Sequence, residues 1–61
     1  MTVYFVLVRR DELWDVMFVG RDREQAMWEA NEWAKELDNE YAVRIRSAYI
    51  HDDGVMEMLY D

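Results

Sequence analysis

Residues 22–38 read DREQAMWEANEWAKELD, and their spacing predicts one amphipathic helix. At about 100° per residue, Ala26, Ala30, Trp33, Ala34 and Leu37 fall within one arc of roughly 100°, with Met27 at its border. Asp22 is a good N-cap, and Gln25 stands three residues on as its capping-box partner. Asp38-Asn39 closes the helix, with Asn39 expected in the left-handed capping conformation. Trp28 breaks the pattern. It points about 160–180° from the centre of the apolar arc, among Glu24, Asn31, Glu32 and Lys35. A large indole among carboxylates on a solvent face marks a surface suited to a partner.

Outward from the helix, both flanks read as strands. Residues 2–9 are β-branched and aromatic, and both alternating sets are apolar: Val3, Phe5 and Leu7 on one side, Tyr4, Val6 and Val8 on the other. Such a strand is central in its sheet or covered on both faces. After the polar break Arg10-Asp11-Glu12, residues 13–19 form a second strand and complete a hairpin. Asp15 interrupts the set Leu13, Asp15, Met17 and Val19, so Trp14, Val16 and Phe18 make the more continuous apolar stripe. Downstream, residues 41–50 alternate. Tyr41, Val43, Ile45 and Tyr49 face one way, and Ala42, Arg44, Arg46 and Ala48 the other. Residues 51–54, HDDG, form a hairpin loop with Gly54 free to take positive φ, and residues 55–60 are the last strand. The order ββαββ predicts an α+β fold: two hairpins in one mainly antiparallel four-stranded sheet, with the helix on one face.

At 61 residues the chain is expected to be one complete domain, 1–61, with a small core. It has no Cys and a single His, so neither disulfides nor a metal is expected to staple it, and no cofactor is implied. Two Gly, no Pro and 15% aromatic residues indicate a folded domain. No stretch approaches the ~20 apolar residues needed to span a bilayer. The apolar start lacks a basic leader and runs into Arg9-Arg10, so a soluble cytoplasmic protein is expected. One helix covers only one sheet face, which leaves the aromatic surplus without homes. Tyr4, Trp14 and Tyr60 are therefore candidates for a homodimer interface.

The net charge of −7 is uneven: residues 21–40 carry three basic and seven acidic side chains, a net of −4. Glu29, Glu32 and Glu36 form a column at spacings of three and four, offset only by Lys35. Such a chain should repel nucleic acid and anionic membranes and favour a basic protein surface. His51-Asp52-Asp53 is read as a turn, because successive turn residues diverge and no fourth ligand is evident. Catalysis is not expected. Ser47 continues the Tyr41–Val43–Ile45–Tyr49 set and so is expected buried beside the helix, and a one-helix sheet seldom encloses a pocket for paired carboxylates. Arg44 and Arg46 share a face, with Arg9 or Arg10 as neighbours, in the general pattern of single-strand binders. Cross-strand pairing with Asp15 or Glu57 is the competing expectation.

The chain resembles, in general character only, the small acidic inhibitors of phages and mobile elements that mimic nucleic acid and block nucleic-acid-binding enzymes. That resemblance implies a non-enzymatic protein-binding inhibitor or adaptor. Glu24, Trp28, Glu29, Glu32 and Glu36 would then meet a basic protein partner. Self-association through an apolar sheet face is the alternative reading, and single-strand binding through Arg44 and Arg46 a minor one.

Overall fold

A computed structural model describes residues 1–59. Strands β1 (Thr2–Arg10) and β2 (Leu13–Gly20) precede helix α1 (Arg23–Leu37). A 3₁₀ turn (Glu40–Ala42) then leads into strands β3 (Val43–Ile50) and β4 (Met56–Leu59). The four strands form one antiparallel sheet in the order β2-β1-β3-β4, which is the ββαββ α+β architecture. β1 is central, the first of the two arrangements its two apolar faces allow. Tyr60 ends the last predicted strand and completes the predicted aromatic interface; it lies outside the described residues.

α1 seals one face of the sheet. Ala26 and Ala30 are buried against Val6 and Val8, with Tyr4, Met17, Phe18, Trp33, Leu37, Val43 and Ile45 packed around them. Small side chains on the helix let it settle close to the β-branched side chains of β1, so one turn of alanines defines the centre of the core. Ser47 is buried on this same face, as its place in the alternation predicts. The Asp22 carboxylate caps the helix by accepting from the backbone N–H groups of Glu24 and Gln25.

Three local details depart from the sequence reading. The helix ends on Asp38, not Asn39, in the left-handed region (φ 51°, ψ 38°). The Asn39 N–H returns to the Ala34 carbonyl at 3.2 Å, a Schellman closure. Asn39 stays extended because its side chain accepts from the Tyr41 N–H and caps the 3₁₀ turn. That turn occupies the start of the predicted strand, so β3 begins at Val43 and Tyr41 stands 80% exposed outside the alternation. The third departure is in the first hairpin. Leu7 pairs with Val16 while Val6 pairs with Phe18, leaving Met17 as an extra residue, a β-bulge. The stripe Trp14–Val16–Phe18 is therefore split: Phe18 packs beneath the helix, whereas Trp14 and Val16 face away from it.

The loop of that hairpin places Asp11 and Glu12 both at positive φ, 51° and 72°. A two-residue turn of this kind matches the twist of its strands but favours Asn-Gly, since a side chain in the left-handed region costs roughly 1–2 kcal/mol. Glu12→Gly is therefore expected to stabilise the protein by about 1 kcal/mol, read as a higher urea midpoint at unchanged slope. A lower midpoint would refute this account of the turn.

Candidate functional site

The outer face of α1 is where the sequence places its contact residues. Trp28 stands 59% exposed, and Glu24 and Glu32, one turn to either side, are exposed with it. Met27, on the adjoining flank, is also exposed. Glu32 lies 3.7 Å from Lys35, an i,i+3 pair in open solvent that contributes little. Glu29 and Glu36 do not surround Trp28. Met27, Asn31 and Ala34 share clefts with Ile45 and other β3 residues, so the Glu29–Glu32–Glu36 column runs along the opposite flank, above β2. Glu29 is half-buried there. The five residues thus form an acidic ridge with Trp28 on its crest, not a ring of carboxylates centred on the indole.

The other face of the sheet has no covering layer among the described residues. Strand pairing assigns it directly, because residues opposite one another in an antiparallel ladder share a face. Val3, Ala48 and Met58 form one row, Val19, Phe5 and Arg46 the next, then Val16, Leu7 and Arg44, and finally Trp14 and Arg9. Val16, Val19, Met56 and Met58 are each about half exposed. Phe5, Leu7, Val16, Met56, Met58 and the aliphatic stem of Arg46 line a shallow groove of about 260 Å³.

This placement corrects the predicted aromatic interface. Tyr4 pairs with Ser47 on the helix-covered face and packs against the core, whereas Trp14 lies on the open face. The two cannot form one patch. The alternation of β1 already separates Tyr4 from Phe5 and Leu7, but only the bulge reveals which β2 residues join them.

The open face also carries Arg9, Arg44 and Arg46. The Arg44 guanidinium carbon lies 4.5 Å from the Trp14 ring centroid and that of Arg9 at 5.8 Å, so the indole holds two cations in place. The cross-strand acids expected to neutralise Arg44 and Arg46 are engaged on the other face. Asp15 accepts from Arg10 at 3.2 Å, and Glu57 meets His51 at 3.1 Å. Arg10 thus belongs with Asp15 on the helix-covered face, and Arg9 with Arg44 and Arg46 on the open one. Among the described residues, no carboxylate lies on the open face of the strands.

His51 is further fixed by an edge contact with the Tyr49 ring, at 4.8 Å between centroids. Asp53 accepts from the Val55 N–H at 3.0 Å, and Gly54 takes φ 87°. The HDDG segment behaves as the turn its composition predicts. No helix among the described residues is long and apolar enough to cross a membrane.

Compared with protein families, curated proteins and solved structures, the chain shows no match to any of them. The surfaces themselves therefore carry the functional argument.

Proposed function

We infer that this protein is an acidic binding module whose α1 ridge occupies a basic surface of a partner protein, in the manner of an inhibitor or adaptor. The observation that carries this reading is the exposure of Trp28 on a helix whose structural needs are already met. Ala26, Ala30, Trp33 and Leu37 supply the packing against the sheet, so the fold gains little from an indole on the far side. Trp is enriched at interface hot spots, where truncation costs about 2–4 kcal/mol. Arginines of a partner would stack on the indole and meet Glu24, Glu29, Glu32 and Glu36. A nucleic-acid-binding enzyme presents such a surface, and the acidic ridge would compete with its natural ligand.

Capture from a lysate of the native cell tests this. Trp28→Ala combined with Glu29→Lys and Glu32→Lys should lower recovery of the wild type's partner by at least about 30-fold, the equivalent of one hot spot. The variant should melt as the wild type does, and the captured partner's nucleic-acid binding should be blocked by the wild type and not by the variant. Equal recovery by both proteins sinks the reading. The bare sheet favours a second reading, self-association through the open face, since exposed apolar surface of this extent usually marks a contact.

A further inference from the structure

We propose that the open sheet face of one copy receives the α1 ridge of a second copy, head to tail. The inference rests on the ridge being a contact surface, as argued above, and adds that the chain itself carries a surface complementary to it. The two faces differ in both charge and shape. The sheet face is an apolar groove bordered by Arg9, Arg44 and Arg46, without a carboxylate among the described residues. The helix face is a convex ridge with exposed Trp28 on its crest between Glu24 and Glu32, Met27 on one flank and Glu29 on the other.

Three occupants compete for the groove, and charge separates them. Two sheet faces packed together would bring six guanidinium groups into one interface with no counter-ion from either side. A nucleic-acid strand would approach a chain of net charge −7. It would meet Leu7, Val16, Met56 and Met58 with Phe5 as the one aromatic of the groove lining, while the Trp14 ring is already taken up by Arg9 and Arg44. The ridge satisfies both requirements. Trp28 fills the groove, whose flexible methionines adapt to an indole, and the glutamates meet arginines that Trp14 already holds in position. Because ridge and groove lie on opposite sides of a two-layer molecule, the contact is heterologous. It extends into a chain or closes into a ring, and it does not stop at a two-fold dimer.

Two variants with substitutions at exposed positions test the geometry. Arg9→Glu with Arg44→Glu disables the groove and leaves the ridge; Trp28→Ala with Glu32→Lys does the reverse. Sedimentation of the wild type should show mass rising with concentration beyond a dimer. Each variant alone, folded by circular dichroism, should associate at least about 30-fold more weakly. An equimolar mixture of the two should form a one-to-one heterodimer and nothing larger, because each member retains one working surface. A wild type that stays monomeric up to millimolar concentration overturns the proposal. So does a closed dimer indifferent to Trp28 and Glu32, or an oligothymidine that occupies the groove of a monomeric wild type. The partner-binding reading is tested separately: a monomer that still captures its partner through Trp28 removes only the present inference.

Discussion

Ala26→Glu is expected to leave the chain unfolded at neutral pH, whereas Trp28→Glu, two residues along the same helix, is expected to leave it folded. Ala26 is fully buried over Val6 and Val8, in a cluster of apolar side chains. The buried side chains it would rest on, Val6, Val8 and Ala30, offer a carboxylate neither a cation nor a donor. Burying it uncompensated costs several kcal/mol. A domain of this size has a total stability of only about 5 kcal/mol, and no disulfide constrains its unfolded state. At position 28 the same carboxylate points into solvent beside Glu24 and Glu32, where like-charge neighbours cost only tenths of a kcal/mol. Far-UV circular dichroism of the two variants under identical conditions makes the measurement. Loss of structure in both, or in neither, would mean that the helix is not seated on its alanine stripe.

The contrast between these two positions was legible from spacing alone, and the reason is physical. Over fifteen residues a 3.6-residue period separates an alanine stripe from a glutamate flank, and no short-range accident imitates it. Strand count was legible for a similar reason, but a run apolar on both sides fits a central strand or one covered on both faces, and the strand order of the sheet decides for the first. What could not be read depended on contacts distant in sequence. Asp38 and Asn39 are both competent for the left-handed position. The choice between them is made by the 3₁₀ turn that Asn39 caps, a turn hidden within an apparent strand. Arg44 and Arg46 were visibly on one face, but their lack of acidic neighbours required knowing that Asp15 and Glu57 point to the other. Glu24, Trp28, Glu32 and Glu36 are exposed as the helical spacing predicts, whereas Glu29 is half-buried. Their split into a crest at Trp28 and a flank above β2 required the seating of the helix.

The bulge at Met17 gives the second large expected effect, and it is the one a simple alternating reading gets wrong. Counted by twos, Val16 and Phe18 belong to the same face and should respond alike. In the ladder, two residues of β2 oppose one interval of β1, so the side-chain sense reverses between them. Phe18 turns beneath the helix, where its ring packs against the core and crosses Gly20; a Cβ on Gly20 would lie 2.6 Å from the ring's Cζ. Val16 turns to the open face and stays 53% exposed. Phe18→Ala is therefore expected to cost about 3 kcal/mol, toward the lower end for an aromatic because the ring is only half-buried. Val16→Ala is expected to cost less than about 0.5 kcal/mol in the monomer. Urea unfolding at protein concentrations too low for association gives both values. The open-face assignment of Val16 adds a second consequence: if the groove receives the ridge, Val16→Ala should weaken self-association while leaving the monomer's midpoint in place. Equal losses of stability in the two variants would show a regular strand without the bulge. In that case Val16 would lie beneath the helix, and the groove that depends on its facing outward would not exist.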